Sequence, residues 1–144
     1  MATNPVPPGY HTITPYIIAS DAEKLLAWLE AAFGAELRHR TDGEDGLLAH
    51  AEVKVGDSMV MLSQARGEYG PTPIMIYVYV PSCDEVYKRA IAAGAASISE
   101  PADQYYGDRN GGVKDPVGNS WYIGSRIEEL SGDEIARRAK TARK

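Results

Sequence analysis

Val55-Gly56-Asp57-Ser58-Met59-Val60-Met61 recurs in outline as Val117-Gly118-Asn119-Ser120-Trp121-Tyr122-Ile123, 62 residues further along the chain. Ser20-Asp21-Ala22-Glu23 recurs as Ser82-Cys83-Asp84-Glu85 at the same separation of 62. A strand-joining turn and a helix start that share one offset indicate a duplicated module of about sixty residues. A unit that short buries too little surface to stand alone comfortably, so two copies are expected to share one core. Two copies related by a pseudo-two-fold also place equivalent positions on either side of a cleft between them.

Working outward from these landmarks gives the order of elements. Thr12 to Ala19 is rich in β-branched and aromatic residues and is expected to be a strand. Ser20 followed by Glu23 forms a capping box that opens a helix. Leu25, Leu26, Trp28, Leu29, Ala32 and Phe33 fall on one side of that helix at helical spacing, and Gly34 ends it. Strands are expected at Glu36–Thr41, Leu47–Val55 and Ser58–Ser63, the last two joined by Gly56-Asp57. After a Pro- and Gly-rich joint at 64–73 the order repeats. Ile74–Val80 is a strand, Ser82 and Glu85 cap a second helix, and Ala96–Glu100 is a short strand. A long loop is expected over Pro101–Arg109, then a hairpin of Gly112–Lys114 with Ser120–Ser125. Ser131 and Glu134 cap a polar C-terminal helix outside the repeat.

Composition limits the classes open to this chain. It has 144 residues, 44% of them hydrophobic and 24% charged, as in a folded single domain rather than a disordered one. The formal charge of −5 and the lack of a basic stripe argue against nucleic acid as partner. The basic cluster Arg137-Arg138-Ala139-Lys140 with Arg143 and Lys144 is expected to be a solvated helix end. No apolar run has the length to span a bilayer, and Met1-Ala2-Thr3-Asn4-Pro5 does not resemble a secretory leader. A single cysteine, Cys83, cannot form an internal disulfide, which fits a cytoplasmic location.

Several segments together resemble the vicinal oxygen chelate superfamily, which includes glyoxalase I, extradiol dioxygenases and bleomycin resistance proteins. They are Ile13-Thr14-Pro15-Tyr16-Ile17-Ile18-Ala19-Ser20-Asp21-Ala22 and Ala31-Ala32-Phe33-Gly34-Ala35-Glu36, then His50-Ala51-Glu52-Val53-Lys54-Val55-Gly56-Asp57-Ser58 and Ala92-Ala93-Gly94-Ala95. Gly107-Asp108-Arg109 and Val113-Lys114-Asp115-Pro116-Val117-Gly118-Asn119-Ser120-Trp121 complete the set, which covers about residues 12–126. The flavour is that of the branch called PhnB-like. The resemblance implies an α+β fold of two tandem βαβββ modules, at about 12–63 and 74–126, in one domain spanning 1–144. Their mixed sheets would curl into half-barrels with helices on the convex faces, and a C-terminal helix at about 131–141 would be added. It also implies a homodimer and a cavity enclosed by the concave faces.

Enzymes of that superfamily hold a divalent metal through His, Gln or Glu on the first and fourth strand of each module. The matching positions here are placed at Thr14, Val60, Met75 and Tyr122. None suits a hard or borderline cation, and neither do their neighbours Ile13, Pro15, Met59, Met61, Ile74, Ile76, Trp121 and Ile123. No metal or other cofactor is therefore expected.

The remaining chemistry lies elsewhere. His50 and Glu52 are two apart on a strand and share a face, where they are candidates for acid–base work, a ligand contact or a displaced metal, or else form a hydrogen-bonded pair that stabilises the sheet or contacts solvent. His11 and His39 are expected at the surface. Gln104, Tyr105, Tyr106 and Arg109 sit in a polar, aromatic loop that either lines a cavity or forms a structural Ω-type loop. Tyr16, Tyr77, Tyr79 and Tyr122 on or beside inner strands, with Met75 on the face of Tyr77 and Tyr79, suit an aromatic or amphipathic ligand, or else belong to an ordinary β-rich core. Cys83, in the first turn of a helix, is a weak candidate for reactivity. The expected function is metal-independent binding of a small aromatic or amphipathic molecule in the cavity between the modules or at a dimer interface, at ligand contacts His50, Met75, Tyr77, Gln104, Tyr105, Tyr106, Arg109 and Tyr122. The alternative is a lyase or isomerase of the glyoxalase type with His50, Glu52 and Tyr122 as catalytic candidates. A pure interaction module using the charged C-terminal helix is the third possibility.

Overall fold

The computed structural model describes residues 3–142. Arg143 and Lys144 of the basic cluster, and Met1 and Ala2, lie outside the described residues. The first module comprises β1 (Tyr16–Ala19), α1 (Ala22–Phe33), β2 (Glu36–Asp42), β3 (Leu48–Val55) and β4 (Ser58–Gln64). The second comprises β5 (Met75–Tyr79), α2 (Cys83–Ala92), β6 (Ala96–Asp103), β7 (Asp108–Lys114) and β8 (Ser120–Arg126), and α3 (Gly132–Ala142) follows. Each module builds an open four-stranded sheet, in the order β1-β4-β3-β2 and β5-β8-β7-β6. The first strand of each module runs parallel to its fourth, and the remaining pairs are antiparallel.

α1 buries Ala22, Leu25, Leu26, Trp28, Leu29 and Ala32. Its N-cap is Asp21, whose carboxylate accepts from the Lys24 backbone N–H, one residue later than the Ser20 expected from sequence. α2 is capped by Ser82 as expected. The two helices pack against each other, and the Trp28 indole N–H donates to the Ala90 carbonyl across that contact at 3.1 Å. Trp28, Phe33 and Trp121 stack with ring centroids 5.2–5.6 Å apart, so α1 of the first module seals onto β8 of the second. Ile17, Ala51, Val53, Val60 and Leu62 face the same core from the first sheet, and Val113, Trp121 and Ile123 from the second.

Two expectations need correction. β6 runs on through Pro101 to Asp103, so the expected long loop over 101–109 shrinks to four residues between Asp103 and Asp108. Proline survives there because β6 is an edge strand and its register breaks between Ser99 and Ala102. The repeat offset also changes. Tyr16 pairs with Met61 and Tyr77 pairs with Tyr122, and Asp21 and Ser82 are equivalent caps, so these elements lie 61 residues apart rather than 62. A two-residue turn at Gly56-Asp57 joins β3 to β4, whereas Asp115–Asn119 forms a longer loop between β7 and β8. Aligning the two turns by their Val-Gly-polar-Ser outline shifts the strand after them by one residue. A shift of one carries every side chain to the other face.

Candidate functional site

The one-residue correction decides which side chains share the sheet faces turned away from the helices. Val60 is in the core against α1, and Thr14 precedes β1. The equivalent open-face positions are Tyr16 on β1, Met61 on β4, Tyr77 on β5 and Tyr122 on β8. Three phenols and a thioether do not suit the cation that the resemblance implies. Among the described residues, no three His, Cys, Asp or Glu side chains are grouped to hold a metal ion.

On the open face of the first sheet, four side chains form a hydrogen-bonded chain. The Tyr16 hydroxyl meets His50 Nδ1 at 3.1 Å, and His50 Nε2 meets Glu52 Oε2 at 3.0 Å. The Tyr10 hydroxyl, from the segment before β1, donates to Glu52 Oε1. The carboxylate only accepts, so Nε2 carries the imidazole proton and Nδ1 accepts from Tyr16. Partial burial, with His39 nearby, lowers the His50 pKa and favours this neutral form. Strand alternation brings His50 and Glu52 together as expected, and Tyr16, expected among the inner-strand tyrosines, joins them, while Tyr10 was absent from the candidates drawn from sequence.

The second sheet's open face is built around Asp108, which is 6% exposed. Its Oδ2 accepts from Tyr77 at 2.6 Å and Tyr79 at 2.8 Å. Asn110 Nδ2 donates to the Tyr77 and Tyr106 hydroxyls, and Gln104 Nε2 donates to Asn110 Oδ1. Burial first, and donation to the Asp108 carboxylate second, raise the Tyr77 pKa. For Tyr79 the Asp108 contact is the larger cause of a shift in the same direction. Glycine makes room for these rings. A Cβ on Gly124 would stand 2.5 Å from the Tyr77 oxygen, and one on Gly112 would stand 2.8 Å from the Tyr122 ring.

The candidates thus fall into separate groups. Tyr77, Gln104 and Tyr106 join through Asn110, and Tyr122 lies beside them across Gly112. Tyr105 stacks edge-on against Tyr106, and Met75 is exposed at the start of β5. Arg109 points to the helix side, where it pairs with Asp84 at 2.8 Å and Asp103 at 3.0 Å. His50 lies on the other sheet. Cys83 is buried, its thiol donates to the Ile123 carbonyl, and burial raises its pKa.

A cavity of about 510 Å³ lies where the two modules meet. Ile13, Phe33 and Val60 line it from the first module, and Ile76, Val78 and Trp121 from the second. Tyr77 and Tyr79 reach its wall, with Arg89 and Asp57 as its charged groups. Tyr77 is the one residue among the eight expected ligand contacts that lines it. A cavity between the modules was expected from the sequence, but most of its lining was not, because Phe33, Val60, Ile76, Val78 and Trp121 read as ordinary core residues with no chemical signature of their own.

Residues 9–123 match the family described as Glyoxalase/Bleomycin resistance protein/Dioxygenase superfamily. Uncharacterized proteins of Mycobacterium bovis and Mycobacterium tuberculosis are 33% identical over 134 residues. The match covers 85% of this chain and 88% and 79% of theirs. Among solved structures, TioX from Micromonospora sp. ML1 superposes with a TM-score of 0.71 at 26% identity, covering 81% of this chain and 99% of that one. Lactoylglutathione lyase from Agrobacterium tumefaciens superposes at 0.63 with 19% identity, covering 80% and 92%, which is a likeness of fold.

Proposed function

Because this chain belongs to the glyoxalase/bleomycin resistance/dioxygenase superfamily, we propose that it is a metal-independent binder of a small aromatic or amphipathic molecule. The observation that carries this reading is the cavity of about 510 Å³ between the modules. Its size is that of a site for a drug-sized ligand, and its wall is mostly apolar with a few polar groups, as such sites require. Arg89 fixes the orientation of a ligand that Ile76, Phe33 and Trp121 hold by contact. The four positions equivalent to the family's metal ligands, Tyr16, Met61, Tyr77 and Tyr122, hold no carboxylate or imidazole, so the reading rests on shape and stacking in the cavity.

The same reading places the protein in the cytoplasm as a homodimer, within the PhnB-like branch. No helix among the described residues is long and apolar enough to cross a membrane. Ile13 at 84%, Met75 at 67% and Tyr79 at 65% exposure leave apolar surface along the module junction for a second copy to cover.

The test is a thermal-shift screen of aromatic compounds, followed by titration of Trp121 fluorescence. Filling the cavity with Val78→Trp is expected to abolish the stabilisation by any hit. Hits that stabilise the filled variant as well as the wild type would place binding elsewhere, and a screen without hits would end this reading. Sedimentation velocity across a concentration series reads the dimer directly.

A further inference from the structure

The His50–Glu52 pair has a phenol at each end, and the two phenols come from different parts of the chain. Tyr16 sits on β1, within the sheet, and its counterpart Tyr77 meets Asn110 in the second module. His50 and Asn110 are therefore equivalent, and Glu52 is equivalent to Gly112, across which the Tyr122 ring lies. The second module holds this face with the Tyr77–Asn110 contact and with Asp108, a carboxylate that accepts from Tyr77 and Tyr79 and is 6% exposed. The first module instead has an imidazole and a carboxylate there, both only partly buried, at 28% and 23% side-chain exposure. Tyr10 is held differently from Tyr16. It belongs to no strand, its own N–H closes a turn onto the Pro7 carbonyl, and its side chain reaches across 42 residues of sequence to Glu52. Beside it lies a pocket of about 340 Å³ lined by Pro8, Gly9, Tyr10, His39, Glu52 and Met59, with Lys54 and Arg38 also on its wall.

We propose that the His50–Glu52 pair is a second binding site, one that takes the hydroxyl of a neutral phenol, and that Tyr10 occupies it as a built-in competitor. An incoming phenol replaces the Tyr10 hydroxyl as donor to Glu52 Oε1, with its ring in the pocket against Met59 and His39. His50, held through Nε2–H, keeps the carboxylate aimed, and Tyr16 on Nδ1 keeps the imidazole in that tautomer. No bond is made or broken, and the carboxylate exchanges one phenol donor for another. A tethered group competes at an effective concentration in the millimolar range, so the site in the wild-type chain is expected to be weak. This proposal goes beyond the cavity reading and stands apart from it, because none of these residues lines the larger cavity.

The full chain is titrated with 4-fluorophenol, followed by the ligand's fluorine resonance and by amide shifts of the protein. Binding with shifts at Glu52, Met59 and His39 is expected, tightening about fivefold in Tyr10→Phe, which removes the competing hydroxyl and keeps the ring. 4-Fluoroanisole, which has no hydroxyl to donate, is expected to bind at least fivefold more weakly. That comparison needs no variant and is independent of any effect of Glu52→Gln on folding, where loss of the carboxylate is expected to weaken 4-fluorophenol to a similar degree. Equal affinities for phenol and anisole, an unchanged affinity in Tyr10→Phe, or no binding would overturn the proposal. Shifts confined to Phe33, Ile76 and Trp121 would overturn it too while supporting the cavity reading, so the two sites are told apart.

Discussion

Asp115→Ala tests whether the β7–β8 loop is held by one buried carboxylate. Asp115 is 4% exposed, and its two oxygens accept four hydrogen bonds. Oδ1 takes the Val117 and Asn119 backbone N–H groups at 2.9 and 3.0 Å. Oδ2 takes Asn119 Nδ2 at 2.9 Å and the Trp121 indole N–H at 2.8 Å. Asn119 in turn accepts from the Ile74 backbone N–H, which ties the start of β5 to β8. Truncation leaves the Asn119 and Trp121 donors without a partner, and both residues are 1% exposed, so water cannot replace it. Each orphaned buried donor costs about 1–3 kcal/mol, and relief of the buried charge offsets part of the sum, which leaves a destabilisation of about 3–4 kcal/mol. With an m-value of about 1.5 kcal/mol/M, the urea midpoint read by tryptophan fluorescence falls by about 2 M. Asp115→Asn is expected to lose nearly as much, since its amide NH₂ faces donors. A midpoint shift under about 0.5 M in the alanine variant would refute the reasoning and show that the loop finds other partners.

Three further outcomes follow from the geometry. His50 has a lowered pKa in the fold, so the unfolded chain binds the proton more readily, and stability is fully present above about pH 6.5 and declines as pH falls through the folded value. His50→Gln flattens that acid limb in urea midpoints taken from pH 7 to 5, and an unchanged slope would assign it to other groups. Gly124→Ala drives a methyl into the Tyr77 hydroxyl and breaks its contact with Asp108, so one tyrosine is expected to titrate closer to the ordinary phenol range in ultraviolet difference spectra. A tyrosine titration identical to wild type would mean that the ring moves without losing its partner. Cys83 is buried with its pKa raised, so it is expected to react with a disulfide reagent only as fast as the protein unfolds. Fast labelling of the native protein would show an exposed thiolate.

Much of the architecture was legible in the sequence because local rules act on few residues. The helix over Leu25–Phe33 follows from apolar spacing, and the α2 cap from Ser82 and Glu85. His50 and Glu52 share a face because strands alternate, and that geometry needs no knowledge of the rest of the chain. The repeat was legible too, but not its register. The outline Val-Gly-polar-Ser recurs at both turns, yet one is two residues long and the other is longer. Sequence likeness at a turn does not carry through a length change, so Val60 was expected on the open face and lies in the core.

By itself, then, the chain's sequence determined the element order, the doubling of the module and the absence of good hard-cation ligands near the expected positions. Those depend on residue type and spacing over short stretches. Tertiary structure alone decided that Tyr10 reaches Glu52, that Arg109 turns to Asp84 instead of a ligand, and that a cavity opens between Phe33 and Ile76. Each of these joins segments far apart in the chain, and their meeting is set by how the two sheets pack across α1 and α2, where no local pattern reaches.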